Sequence, residues 1–176
     1  EHSYEKFADG CPETNPELPW DMYVFDETLR LFTSGTTGRQ KSVCLTSINE
    51  VLSAHDVMIN FPLSFTDRTM NTTPWFHRGG LHSGGITPTL YAGGTVVVQR
   101  KFQAEQTLDC IEQQGLTFVI GVPNVLELMA EAQQKQPRNL HSLHGIVTMG
   151  SPLERANCIR YQKILTQRIF NGYGTT

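Results

Sequence analysis

Apolar and polar positions change period several times along the chain, and each change predicts an element. Thr28–Phe32 gathers β-branched and large apolar residues and reads as a short strand. Val43–Thr46 is strand-like again. Ser47 and Glu50 form an S-x-x-E capping box, which predicts a helix from Ile48 with Ile48, Val51, Leu52, His55 and Ile59 at helical spacing. Arg68–Thr72 predicts a strand, and Gly84–Tyr91 a weak helix diluted by glycine and Pro88. Thr95–Gln99 predicts a strong buried strand, with Val96–Val98 as core. Ala104–Gln114 predicts a helix stopped by Gly115. Leu116–Ile120 predicts a strand, and Pro123 opens a helix with Leu126, Met129 and Ala130 on one face. Gly145–Met149 predicts a strand. Ser151-Pro152-Leu153-Glu154 is a second capping box, predicting a helix from Pro152 to about Ile164. Gln167–Phe170 is the last strand. Residues 1–27, broken by Pro12, Pro16 and Pro19, read as an approach segment with little regular structure.

From residue 95 onward strands alternate with helices, which predicts an α/β fold, a largely parallel sheet with flanking helices. Ligands on such sheets bind beyond the C-terminal strand ends. Two glycine-rich segments, 33–42 and 171–176, each follow a predicted strand.

Composition narrows the function classes. The 176 residues are 39% hydrophobic with 15 glycines, an ordinary globular balance. Fourteen basic and 17 acidic residues give a net charge of −3, which argues against a nucleic-acid grip driven by charge. No apolar run approaches the ~20 residues of a membrane span. Cys11, Cys44, Cys110 and Cys158 are scattered without a C-x-x-C pair, which argues against a zinc ribbon or a secreted disulfide scaffold and for reduced thiols in the cytoplasm. His82, His141 and His144 have no carboxylate or cysteine close in sequence, so no metal site is expected there. The chain begins at Glu1 and shows no signal peptide, which predicts a piece of something longer.

The chemistry concentrates in Thr33-Ser34-Gly35-Thr36-Thr37-Gly38-Arg39-Gln40-Lys41-Ser42. Glycines let backbone N–H groups converge on an anion, hydroxyls add donors, and the lysine adds a mobile charge. Each hydrogen bond to a charged oxygen contributes about 1.5–3 kcal/mol, so a few hold a triphosphate tail. The plain alternative is a surface turn, since Ser, Thr and Gly are ordinary loop residues. A Walker A loop, G-x-x-x-x-G-K-[ST], fails at Gln40, and a strand rather than a helix is predicted to follow. That disfavours a P-loop ATPase.

Leu31 to Lys41 resembles the signature of the adenylate-forming enzymes, the acyl-CoA synthetase and AMP-binding superfamily, whose pattern is Y-T-S-G-T-T-G-x-P-K-G. It departs at Gln40 and Ser42. Four further segments resemble the family in order. Pro74-Trp75-Phe76-His77-Arg78-Gly79-Gly80 is similar to P-x-F-H-x-x-G beside the acyl pocket. Gly121-Val122-Pro123 is similar to G-V-P. Met149-Gly150-Ser151-Pro152-Leu153 is similar to G-G-A-P-L. Asn171-Gly172-Tyr173-Gly174-Thr175-Thr176 is similar to N-G-Y-G-x-T-E, without its Glu.

The resemblance implies that residues 28–176 are part of an AMP-binding domain, a central fragment of the family's large domain. It implies that Thr33, Ser34, Gly35, Thr36, Thr37, Gly38 and Lys41 bind the phosphates. Gly150, Ser151, Pro152, Asn171, Gly172, Tyr173 and Gly174 then bind adenine, with Tyr173 stacked on the base; a tyrosine packed under a turn is the alternative. His77 and Trp75 are implied at the acyl pocket, with ordinary core as the alternative for Trp75 and Phe76, and Lys41, His77 and Thr176 are implied in catalysis. A backbone-satisfied structural histidine is the alternative for His77. For Ser151-Pro152 it is helix capping.

The implied reaction joins a carboxylic acid to AMP from ATP, releases pyrophosphate, and passes the acyl group to CoA. The implied cofactors are ATP/AMP, CoA and Mg²⁺, whose usual Glu ligand would follow Thr176. The fragment alone is expected to be inactive and to self-associate through exposed surface. A peptide-synthetase-type adenylation domain and a non-catalytic nucleotide-binding module remain as other readings.

Overall fold

The computed structural model describes residues 3–15, 17, 21–33 and 40–174. A two-stranded antiparallel hairpin leads into a five-stranded parallel sheet. In the hairpin, β1 (Glu27–Thr33) pairs with β2 (Lys41–Thr46), with Leu31 opposite Val43 and Thr33 opposite Lys41. Leu31 and Leu45 are buried while Phe32 and Cys44 face solvent, so the pleat's period of two gives the hairpin one inner face. Before it, Tyr4–Ala8 forms a short helix, α1, whose first turn is capped by Ser3 Oγ accepting from Lys6 N at 3.3 Å.

The sheet consists of β3 (Arg68–Asn71), β4 (Thr95–Val96), β5 (Phe118–Gly121), β6 (Gly145–Thr148) and β7 (Ile169–Asn171), in the order β4-β3-β5-β6-β7, all parallel. The predicted α/β fold with flanking helices is therefore present. The order reverses direction between β3 and β5. Right-handed crossovers consequently place helices on both faces. On one face α5 (Ala104–Gln114), α6 (Pro123–Lys135) and α7 (Arg155–Ile164) bury Leu108, Ile111, Leu126, Met129 and Tyr161 against Met70, Val119 and Ile146. Each fully buried aliphatic side chain contributes about 1.5–3 kcal/mol. On the other face lie α2 (Ser47–Asn60) and α4 (Ile86–Tyr91), joined by α3 (Arg78–Leu81). Gly84 sits there, and a Cβ built on it would touch Ile120 Cγ1 and Val147 Cγ2.

Local signals placed most helix ends. Gly115 adopts φ 63° in the left-handed region and stops α5, and Pro123 occupies the first turn of α6. Four expectations need correction. The cap of α2 is Thr46, not Ser47: Thr46 N and Oγ1 donate to Asn49 Oδ1 at 3.1 Å and 2.9 Å. Strand β2 runs to Thr46 and leaves it extended, the backbone an N-cap needs. The inner face of α2 is Glu50, Ser53, Ala54 and Val57, whereas Val51, Leu52 and Ile59 are exposed.

The Val96–Val98 run is not core throughout. β4 is an edge strand, Val97 packs inward and Val98 is exposed. Finally, α7 starts at Arg155 with Glu154 as its cap, so Ser151 and Pro152 do not cap it. Gly150 at φ +87° turns the chain, and Leu153 packs against the core before the helix begins.

The lower rim, at the N-terminal strand ends, is closed by short polar contacts. Asp67, 4% exposed, accepts from Ser64 N at 2.7 Å and Ser64 Oγ at 2.9 Å. Arg68 N donates to Thr117 Oγ1 at 3.0 Å. Among the described residues no helix is long and apolar enough to cross a membrane.

Candidate active site

The upper rim gathers four of the five motif segments. At the end of β3, Asn71 is buried and reaches up: Nδ2 donates to Gly80 O at 2.8 Å and Gly79 O at 3.3 Å, while Oδ1 accepts from Thr73 N at 2.7 Å. This fixes segment 74–80 over the sheet. Gly80 is obligatory there, because a Cβ would stand 2.1 Å from Pro74 O. Beside it, Thr72 N and Oγ1 both donate to Ile120 O at 2.9 Å, which ties the ends of β3 and β5 at the point where the sheet order reverses.

His77 caps α3, and its Nδ1 accepts from Gly79 N at 3.1 Å. With Nδ1 accepting, the proton of the neutral ring is on Nε2, which is a donor. The ring is exposed. A backbone partner and an open ring edge thus coexist. Trp75 is partly exposed and Phe76 almost fully so, which rules out a core role for either.

Met149 extends from the end of β6 across the rim. Its Sδ lies 3.6 Å from where a Cβ on Gly79 would be, and its Cε 3.9 Å from that of Gly172. A Cβ on Gly150 would stand 3.4 Å from Val122 Cγ1, in the G-V-P turn. Gly172 N donates to Thr148 O at 2.9 Å, so the chains leaving β6 and β7 start side by side. Ser151, Pro152, Asn171 and Gly174 are exposed along the two chains. Tyr173 is 102% exposed, so it is not packed under a turn. Among the described residues nothing beyond its chain neighbours lies within 4 Å of a Cβ on Gly174. Two buried hydroxyls near this rim, Thr73 Oγ1 and Thr148 Oγ1, have no hydrogen-bond partner among the described residues.

Thr33 and Lys41 face one another at the mouth of the hairpin, where Thr33 Oγ1 donates to Lys41 O at 3.4 Å. Ser34, Gly35, Thr36, Thr37 and Gly38, and Thr176 at the other end, lie outside the described residues. The strand Lys41–Thr46 follows the loop directly, as the sequence predicts. Among the described residues no group of three or more His, Cys, Asp or Glu side chains is placed to hold a metal ion.

Periodicity gave no warning of Asn71. The strand that carries it, Arg68-Thr69-Met70-Asn71, has one apolar residue, so Asn71 does not stand out from its neighbours in the sequence.

The model of the family described as "AMP-binding enzyme" matches residues 11–176. The chain belongs to that family. Indoleacetate–CoA ligase of Aromatoleum aromaticum is 37% identical over 160 residues, covering 90% of this chain and 30% of that protein. Feruloyl-CoA synthase of an Amycolatopsis species is 31% identical over 153 residues, covering 87% and 30%. The apo structure of Mycobacterium smegmatis MbtA shares the fold at TM-score 0.84 and 23% identity, over 98% of this chain and 31% of that one. ATP-bound MatB from Rhodopseudomonas palustris does so at TM-score 0.77 and 22% identity, over 88% and 30%. The chain spans about 30% of the length of these curated relatives. The relatives are ligases, so the family to which this chain belongs includes acid–thiol ligases.

Proposed function

We propose that the chain is the nucleotide-gripping part of an AMP-forming acid–thiol ligase. The observation that supports this best is the meeting of segments 77–80, 121–123, 149–150 and 171–173 on one rim at the strand ends. A carboxylate oxygen bonds to the α-phosphorus of ATP as the bond to pyrophosphate breaks. The thiol of CoA then bonds to the acyl carbon, AMP leaves, and the thiol proton passes to solvent.

In this reading Tyr173 supplies a π-face for adenine between two glycines, and the chain from Gly150 to Pro152 runs along the base's edge. His77 Nε2–H is a donor for the carboxylate. Thr33 to Gly38 and Lys41 hold the phosphates where negative charge builds up, and Thr176 adds a donor near the α-phosphate. Fixed donors of this kind lower a phosphoryl-transfer barrier because they need no reorganisation. No step is routed through a metal.

CoA is the acceptor we favour, because the similar ligases from Aromatoleum and Amycolatopsis are named for CoA thioesters. A strand after the phosphate loop, where a P-loop has a helix, supports adenylate formation over ADP-forming chemistry.

The test is pyrophosphate release by the full-length protein with ATP and a panel of aliphatic and aromatic acids, followed by thioester formation with CoA. Acid-dependent pyrophosphate is expected, and Lys41→Ala should lower its rate about 100-fold. Release of ADP and phosphate instead would sink the reading. The 176 residues alone are expected to give no turnover.

A further inference from the structure

The seam between α2 and α3 holds a part-buried polar contact that none of the motifs accounts for. His82, the last cap of α3, is 3% exposed, and its Nε2 stands 2.7 Å and 2.8 Å from the two carboxylate oxygens of Glu50. A ring nitrogen this close to a carboxylate carries the proton and donates it. Nδ1 of the same ring is buried without a partner among the described residues. Further along the same face of α2, Ser53 Oγ accepts from Arg78 Nη2 at 3.2 Å.

Helix α3 consists of Arg78, Gly79, Gly80 and Leu81. A single turn rich in glycine has no stability of its own, so its position depends on its ties. Asn71 holds the carbonyls of Gly79 and Gly80 from the sheet side. Glu50 holds the far end from the helix side. Glu50 itself lies in the first turn of α2, directly after the strand that begins at Lys41. One short run of backbone therefore connects Lys41 to Glu50, and another connects His82 back to His77.

We propose that Glu50 and His82 are a positioning pair, which keeps His77–Gly80 in register with the strand that carries Lys41. The pair touches neither substrate in this scheme. The proposal rests on the ligase reading and adds to it a coupling between the carboxylate side and the phosphate side of the site. A directed hydrogen bond between an imidazole and a carboxylate suits that task, because its geometry is directional and removing the carboxylate leaves the buried ring nitrogen unsatisfied.

The experiment combines hydrogen exchange with steady-state kinetics on the full-length protein and its Glu50→Ala and Glu50→Gln variants. In Glu50→Ala, amides 78–84 should exchange about 10-fold faster, since local opening is no longer opposed by the contact. KM for the carboxylate should rise about 10-fold with KM for ATP unchanged, as expected for a displaced positioning segment. Glu50→Gln keeps an oxygen that accepts from Nε2 and should return both readouts to within about 3-fold of the unaltered protein. Should Glu50→Ala not fold, Glu50→Asp, one methylene shorter, should show the same two changes at about 3-fold.

Unchanged exchange at 78–84 overturns the proposal. So does faster exchange with both KM values unmoved, because the pair is then a fastener alone. If the unaltered protein releases no pyrophosphate with any acid, the ligase reading fails, and the exchange data still decide whether Glu50 anchors α3.

Discussion

The two faces of the parallel sheet are built on different principles. The face under α5, α6 and α7 is apolar and close-packed: Leu108, Ile111, Leu126 and Met129 are all fully buried. The face under α2 and α4 is held by directed polar contacts and small residues. Thr69 Oγ1 meets Thr89 Oγ1 at 2.8 Å, Thr89 Oγ1 donates to Gly85 O at 2.7 Å, and Glu50 meets His82. Dispersion and burial are non-directional, so the first face supplies stability without specifying any one atom's position. Hydrogen bonds are directional but contribute little net stability, about 1 kcal/mol each, so the second face specifies positions. Segment 74–80, with His77, rises from the second face.

The largest expected effect lies on the apolar face. Leu126→Ala should cost roughly 2–5 kcal/mol in urea unfolding, by lost burial and a residual cavity. The same variant of the full-length protein should keep its KM for ATP; a changed KM would mean the two faces are not separable. Next comes the rim between them. Tyr173→Ala should raise KM for ATP about 10-fold, because a base loses its stacking partner. Its melting temperature should not move, since the ring contacts nothing that a fold depends on. An unaltered KM would remove Tyr173 from the adenine site.

Smaller effects test the edges of the contrast. Thr46→Ala should cost about 1 kcal/mol in unfolding, by loss of the α2 cap, while Ser47→Ala should cost almost nothing. The reverse ranking would restore the capping box read from the sequence. The apolar face also carries a polar cluster between α6 and α7. Tyr161 OH donates to Glu127 Oε2 at 2.6 Å, and Arg160 pairs with the same carboxylate. Burial, then the Glu127 carboxylate, pushes the Tyr161 hydroxyl up to about 12. Its neutral form is favoured in the fold, so its contribution is complete below pH 10 and is lost as pH rises towards 12. Tyr161→Phe should flatten the stability profile across that window in a pH-resolved denaturation series.

Much of this fold is legible in the sequence because its signals are local. Gly115 and Pro123 mark helix ends through backbone constraints that need no tertiary partner. The Val-Ile pair of β5 and that of β6 mark strands buried on both faces. What misled was local chemistry with two valid outcomes. Ser47 and Ser151 both satisfy a capping pattern, yet β2 extends to Thr46 and Leu153 packs before α7 starts, so tertiary contacts chose other caps.

Val51, Leu52 and Ile59 keep the helical period that predicts α2, yet they are exposed, and Glu50, Ser53, Ala54 and Val57 face inward. The Glu50–His82 contact was illegible, because nothing in either residue's neighbourhood points to the other. The site is intermediate. Its motif residues were readable one by one, and the rim that unites four of the segments follows from strand order, which spacing alone does not give.

Every motif segment that the structure brings together leaves the sheet upward, so the lower rim is spare ground. The link between α6 and β6 is pinned there by contacts of its own, with Arg138 Nε donating to Asp109 Oδ1 at 2.9 Å and Gln133 Nε2 to Arg138 O at 2.8 Å. An affinity handle or a dye grafted beside the exposed His141 would stand the whole height of the strands from Tyr173. Immobilisation through that point would leave the upper rim open to the bulk, with its loops unobstructed.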